Sequence, residues 1–313
     1  MSLISADDRS WLRQLLGARV RFDEPMRRHT TFRIGGPADA YAMVAGLDEL
    51  GLLVKGANQR GLPWTAVGNG SNLLVRDGGV RGIVINLGPY MRTVVVGADE
   101  PAGTVTVKAQ AGLALPALCR LALANGWDGM NFALGIPGNV GGAIYMNAGS
   151  AGGCMAEVVH EVTLLDRQAQ RLTMAAGNIA WDYRRAPWPE DSIIVEGTFK
   201  LQMTNKENLK RAARQWVLAR KRRQPAAASA GCFFKNPSPQ TPAGRLIEQA
   251  GLKGKCIGQA EISCEHANFI LNRGGASADD VLALKRLIET TVAERFGVEL
   301  EPEVVILGEE RHA

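Results

Sequence analysis

No run of about 18 apolar residues occurs in the chain, so no membrane-spanning helix is expected. The first residues, MSLISADDRSWLRQLL, are acidic early and lack the apolar stretch of a signal peptide, and a cytoplasmic location is the expectation. The five cysteines (119, 154, 232, 256 and 264) form no CxxC pair. An odd, scattered set argues for reduced thiols rather than a disulfide frame. The four histidines stand at no zinc-ligand spacing with each other or with a cysteine, so no metal is expected. Aromatics make up only 6 %, and few lie near the densest basic run, Arg220-Lys-Arg-Arg223. That run is open to three readings: a nucleic-acid patch poor in stacking partners, a solvated helix end, or a site for a polyanionic small molecule.

What is present is the composition of a soluble globular protein: 313 residues, 46 % hydrophobic, 21 % charged, net charge +5. The length predicts two or three domains with ample core. Ser5 and Asp8 predict the cap of a first helix whose apolar face is Trp11, Leu12, Leu15 and Leu16. Thr30–Phe32 reads as a short strand and Gly35-Gly36-Pro37 as a turn. A helix over 47–61 and strands over 64–67, 73–75 and 82–86 follow. Residues 104–110 alternate as a strand, 116–125 form a helix closed by Gly126, and 158–166 with 171–174 form a hairpin. Residues 193–201 predict a strand, 206–223 a long amphipathic helix, 245–251 a short helix and 266–272 a strand. Ser277 with Asp280 caps a helix to Phe296, and 303–307 ends the pattern as a strand.

Two stretches are unusual. Gly135–Gly153, GIPGNVGGAIYMNAGSAGG, is dense in glycine and carries no formal charge. Ordering such a segment is entropically costly, and close approach to a large ligand is one compensation; a sharp turn with small-residue packing is the other account. Gly68-Asn-Gly-Ser-Asn72 follows a predicted strand but lacks the third glycine of the dinucleotide fingerprint.

Seven stretches in order then match one family: TTFRIGGPA from Thr30, GNGSNLL from Gly68, GIPG from Gly135 with Gly141-Gly142 and MNAG from Met146, Tyr183-Arg184, GCFFKNP from Gly231, HANF from His266, and LEPEV from Leu300. Together, over about 28–308, they resemble the UDP-N-acetylenolpyruvoylglucosamine reductases (MurB) of peptidoglycan synthesis. The short spacing from Arg184 to Cys232 resembles the family's shorter class, without an inserted tyrosine loop.

The resemblance implies an α+β fold: a two-part FAD-binding region of the vanillyl-alcohol-oxidase (PCMH) type plus a smaller α+β substrate-binding domain. The expected units are 1–90 and 91–203 for FAD and 204–302 for substrate, with 303–313 returning to the first. The boundary near Thr204 follows a shift in composition. FAD would lie, non-covalently, against Gly68, Asn69, Gly70, Ser71 and Asn72 on one side and Gly135, Ile136, Pro137, Gly138, Gly141 and Gly142 on the other. Such backbone offers N–H donors to a pyrophosphate without obstruction.

By the same resemblance NADPH is the hydride donor, although no motif here reads its 2′-phosphate. The substrate is UDP-N-acetylglucosamine enolpyruvate, and no nucleic-acid, membrane or obligate protein partner is implied. Cys232 matches the proton donor, where serine is commoner; a thiol is the stronger acid. Arg184 matches the arginine on the substrate carboxylate, with Arg185 its local rival, and Glu303 the catalytic glutamate, with Glu301 its rival. Tyr183, Lys235, Asn236 and the helix end at Arg222 or Arg223 are expected to meet substrate. Ala186 departs from a frequent serine and Glu265 from a frequent lysine, and His266 reads as structural. An FAD oxidase of the same flavin fold and a non-catalytic flavin-binding protein are the competing readings.

Overall fold

The computed structural model describes residues 2–97, 103–221 and 224–311. Helix α1 (Ala6–Leu16) starts where the side chain of Ser5 accepts from the Asp8 N–H and the Asp8 carboxylate accepts from the Ser5 N–H. That reciprocal cap satisfies two otherwise orphaned donors, and Leu12 and Leu16 are buried beneath it. Strands β1 (Val20–Pro25) and β2 (Pro37–Met43), helix α2 (Leu47–Gln59) and strands β3 (Trp64–Val67), β4 (Leu73–Val75) and β5 (Val80–Asn86) follow. They build a sheet of order β1-β2-β5-β3, antiparallel at β1–β2 and parallel elsewhere.

The next unit holds β6 (Val94–Val96), β7 (Thr104–Gln110), α3 (Leu115–Asn125), β8 (Trp127–Asp128), α4 (Val140–Tyr145), the two-residue pair β9 (Gly149–Ser150) and β10 (Gly153–Cys154), β11 (Val159–Leu165), β12 (Arg171–Ala175) and β13 (Ile193–Met203). Its antiparallel sheet runs β12-β11-β13-β7-β6, with β8 on β13. Helix α3 stops at Gly126, whose φ of 74° is left-handed. Helix α5 (Lys206–Lys221) comes next, then α6 (Ala243–Gln249), β14 (Cys256–Ile257), β15 (Ala260–Ile262), β16 (Ile270–Asn272), α7 (Ala278–Phe296) and β17 (Val305–Leu307). β17 leaves the last unit and pairs in parallel with β4, beside the Gly68–Asn72 loop.

Three sequence expectations are corrected. Thr30–Phe32 is a turn, not a strand: the Thr30 hydroxyl donates to the Ile34 carbonyl at 3.0 Å, a local bond that competes with pairing. Gly35–Pro37 is not a separate turn, because β2 begins at Pro37. Of 266–272 only Ile270–Asn272 is strand; the Phe269 N–H closes a turn onto the His266 carbonyl at 2.9 Å. β1 went unread because Arg21, Asp23 and Glu24 mask its alternation.

Helix α5 packs on α3, and its Ala213 belongs to the core of the first two units. A separate core gathers Phe233, Phe234, Ile247, Ile262, Leu284 and Ile288, closed by Phe32 and Leu74 from the first unit. We propose that the third unit, expected over 204–302, begins after α5, which packs on α3. Across this junction both Asp77 carboxylate oxygens accept from the first N–H groups of α7, at 3.0 Å from Ala278 and 3.1 Å from Asp279.

Candidate active site

The β3–β4 loop, 68–72, faces the 136–142 segment across a cavity of about 390 Å³. Local bonds hold both walls. Asn86 Nδ2 donates to the Gly68 carbonyl at 3.0 Å, and the Thr31 N–H to the Gly70 carbonyl at 3.2 Å. Opposite, the Leu115 N–H donates to Gly138, Val140 to Leu113 and Gly141 to Ala111, at 2.8–2.9 Å. Ser71 Oγ bridges the walls to the Pro137 carbonyl at 3.3 Å. Gly70 (φ 61°) and Gly138 (φ 113°) are left-handed, where side chains are strained. Of the expected cofactor residues all but Gly135 line the cavity. Gly135 instead lies under Arg220, whose Cδ is 2.9 Å from where a Cβ would stand.

The walls fit a large polar ligand carrying a diphosphate. Among the described residues, the N–H groups of Asn69, Gly70, Ser71 and Asn72 have no carbonyl partner, a cluster of free donors suited to an anion. Asn139 is buried; its Nδ2 donates to the Gly112 carbonyl at 2.7 Å, while its Oδ1 has no partner. An orphaned buried acceptor is costly unless a ligand donates to it. Among the described residues no cysteine or histidine lines the cavity, whereas Tyr145 and Asp191 do.

A second cavity, about 490 Å³, shares Asn72, Tyr145, Met146, Asp191, Ser192 and Val305 with the first. Arg184 and Glu303 line it together. Arg184 Nε donates to Glu303 Oε1 at 3.0 Å, and Nη2 to the Gly149 carbonyl at 2.7 Å. Both side chains are largely buried, 17 % and 13 % exposed, so the pair is little screened. Arg184 has a φ of 57° and sits in a turn closed by two bonds between Asp182 and Arg185. Burial pushes the Glu303 carboxyl above the usual carboxylate range, while Arg184 and Lys235 pull it back.

Cys232 joins this pair from the third unit. The buried rings of Phe233 and Phe234 anchor the segment behind it. Asn268 clamps that anchor: its carbonyl accepts from Phe233 at 2.7 Å, its Oδ1 from Phe234 at 2.9 Å, and its Nδ2 donates to Phe234 at 2.8 Å. The Glu303 N–H donates to the Phe233 carbonyl at 2.8 Å, tying the two chemical residues to one backbone. Burial, and then the negative charge of Glu303, push the Cys232 thiol up to about 12, against the pull of Arg184 and Arg220. Arg220 is a further cation here: its burial lowers its pKa, and its charge bears on Cys232 and Arg184.

The other expected substrate residues are placed differently. Tyr183 is exposed, with its ring centre 5.0 Å from the Arg184 guanidinium carbon. Lys235 Nζ is paired with Glu301 Oε1 at 2.6 Å, and Asn236 Oδ1 accepts from the Ala243 N–H at the start of α6 at 3.0 Å. None of the three lines either cavity. Arg222 and Arg223 lie outside the described residues. Arg220, Asn139 and Asn268 are the residues missed. The helical period does put Arg220 on the inward face after Leu209, Ala213 and Val217, and that was the available signal. Among the described residues no group of three or more His, Cys, Asp or Glu side chains is placed to hold a metal, and no helix is long and apolar enough to cross a membrane.

Two family models match: an FAD binding domain over residues 38–175 and the UDP-N-acetylenolpyruvoylglucosamine reductase C-terminal domain over 224–307. A UDP-N-acetylenolpyruvoylglucosamine reductase of Desulfosudis oleivorans is 44 % identical over 96 % of this chain and 98 % of its own length. One from Heliobacterium modesticaldum is 40 % identical over 99 % and 95 %. The chain belongs to the UDP-N-acetylenolpyruvoylglucosamine reductase family. The crystal structure of the Thermus caldophilus reductase superposes with a TM-score of 0.76 at 37 % identity, covering 91 % of this chain and 97 % of that one. The fold is therefore α+β with an FAD-binding region, as the sequence implied.

This site predicts a sharp effect at Gly138. A Cβ there would stand 2.7 Å from Ser71 Oγ, which must turn away and give up its bond to the Pro137 carbonyl, and the valine would sit at a left-handed φ. Gly138→Val is expected to give folded but colourless protein, since strain of about 1–3 kcal/mol adds to the clash. Flavin absorbance per mole of protein, with circular dichroism as the check on folding, measures it; a yellow valine variant would remove Gly138 from the wall.

Proposed function

We propose that this chain reduces the enolpyruvyl ether of UDP-N-acetylglucosamine to the D-lactyl ether, giving UDP-N-acetylmuramate for peptidoglycan precursor synthesis, with NADPH as reductant. The observation that supports the site assignment is the Arg184–Glu303 pair in a cavity that adjoins the glycine-walled one, with Cys232, which lines neither cavity, near enough for both charges to act on its thiol. FAD, held between the 68–72 and 136–142 segments, would supply the hydride chemistry that links NADPH oxidation to reduction of the enol ether.

The chain's own residues handle charge and proton. Arg184 presents a guanidinium to the substrate carboxylate, into which negative charge spreads as the adjacent carbon becomes enolate-like. Its side chain is largely buried and its geometry preset by Glu303 and Gly149, so little reorganisation is needed as charge develops. Cys232 holds the proton that the enolate carbon must receive. A thiol pushed up to about 12 is fully protonated at neutral pH, as a donor must be. Glu303, with its carboxyl raised by burial, fixes Arg184 and restrains the thiol. Arg220, part-buried with its Nε donating to Gln224 Oε1 at 2.9 Å, adds a second positive charge that acts on Cys232. An alcohol or lactone oxidase has no use for an acid at this place, which favours the reductase reading.

The test is product identity. NADPH consumption by the yellow protein is expected to rise only when the enolpyruvyl nucleotide is added, with one UDP-N-acetylmuramate, identified by mass and by D-lactyl configuration, per NADPH. Consumption indifferent to the nucleotide would remove the proposal.

A further inference from the structure

The Arg184–Glu303 pair hangs from both walls of the cofactor cavity, through two asparagines. On one wall Asn72 Nδ2 donates to the Glu303 carbonyl at 2.9 Å, and the Val305 N–H returns a bond to the Asn72 carbonyl at 3.0 Å. Past the other wall, between the cavity-lining Met146 and Ala148, Asn147 is buried: its Nδ2 donates to the Asp182 carbonyl at 2.9 Å and its Oδ1 accepts from the Ala156 N–H at 3.0 Å. Asp182 closes the turn that carries Arg184, and Gly149, two residues after Asn147, takes the Arg184 Nη2 bond. Asn147 has a left-handed φ of 45° and Arg184 one of 57°, so this arrangement is held against backbone preference.

We propose that Asn72 and Asn147 are positioning residues that set Glu303 and Arg184 relative to one another, so that the loops that hold FAD also set the geometry of the reacting pair. The inference rests on the reductase reading of the site. Neither asparagine supplies a proton or touches the reacting carbon. Each donates one amide hydrogen to a backbone carbonyl next to, or in the turn of, a chemical residue. The Gly135–Gly153 stretch is then more than a binding wall, because its last third carries the bonds that aim Arg184.

The test uses holoprotein and four variants. Asn72→Ala and Asn72→Asp remove the donor on the first wall. Asn147→Asp keeps the acceptor for Ala156 but loses the donor to Asp182. Asn147→Gly suits the left-handed backbone while removing the amide, which separates backbone conformation from hydrogen bonding. Three quantities are read without oxygen: FAD affinity by fluorescence titration of apoprotein, the rate of flavin bleaching by NADPH, and the rate of recolouring by the enolpyruvyl nucleotide. In the Asn147 variants FAD affinity and bleaching are expected to stay within about threefold of the parent; the Asn72 variants, whose residue also lines the cofactor cavity, are compared at saturating FAD; in both sets recolouring at saturating nucleotide falls about tenfold or more with little change in KM, the pattern of an interaction that counts in the transition state. Asn147→Gly is expected to be as slow as Asn147→Asp.

Parental recolouring in either asparagine's variants, an equal loss in bleaching, or a loss explained wholly by lost FAD would overturn the proposal. A parental rate in Asn147→Gly alone would do so for Asn147, leaving only its backbone conformation. Failure of the reductase reading is seen separately, as parent protein that binds no FAD or is not recoloured by the nucleotide.

Discussion

Cys232→Ala is expected to retain its yellow colour and to be bleached by NADPH at the parental rate, yet to lose substrate reduction by about 10²–10⁴-fold, the usual contribution of a positioned general acid. The side chain sits over no part of the glycine-walled cavity, so cofactor binding is spared. Cys232→Ser is expected to keep substantial turnover. Burial and Glu303 raise this thiol from 9.0 to about 12 and would raise a hydroxyl in the same place alike, so serine is the weaker acid but still presents a proton from the same position. The pH dependence has a definite sign. Because the pKa is raised, the protonated donor persists as pH climbs past 9.0, and recolouring by substrate is expected to show no thiol-like alkaline limb there. Single-turnover recolouring of the three proteins between neutral and alkaline pH measures both points. An alanine variant with full turnover would remove Cys232 from the chemistry.

Arg184→Ala is expected to cost about 10³-fold in turnover, in the range found when a donor to a developing oxyanion is removed. It also strands Glu303, whose carboxyl is already raised by burial and loses the charge that pulls it back. Removing one partner of a pair this buried costs about 3–5 kcal/mol of stability, so a lower melting temperature is expected alongside. Arg184→Lys separates charge from geometry. A single ammonium cannot reproduce the directed bonds from Nε to Glu303 and from Nη2 to the Gly149 carbonyl, so lysine is expected to recover the stability but little of the rate. Turnover close to the parent in the lysine variant would mean that Arg184 acts only as a charge.

The cofactor walls were legible in the sequence because their requirement is written in glycine. Gly70 and Gly138 stand where φ is left-handed, and Gly141 where a Cβ would lie 2.7 Å from that of Ala111. The caps at Ser5 and Ser277 were legible for the same reason, a local bond between residues three apart. What local pattern does not carry is partner choice across the fold. Lys235 and Asn236 stand in a recognisable motif, but tertiary structure gives them Glu301 and the start of α6. Arg220 follows the helical spacing of Leu209, Ala213 and Val217, but the charges of its basic run mask that position, and the packing of α5 on α3 shows which neighbours it meets. Asn72 and Asn147 could be read as motif members, but their partners lie 231 and 35 residues away.

The most direct measurement is a pair of spectra on purified holoprotein without oxygen. NADPH is expected to bleach the flavin bands, and the enolpyruvyl nucleotide, added next, to restore them with one equivalent of UDP-N-acetylmuramate formed. Bands that stay bleached in the presence of the nucleotide, or that return without that product, would contradict the account.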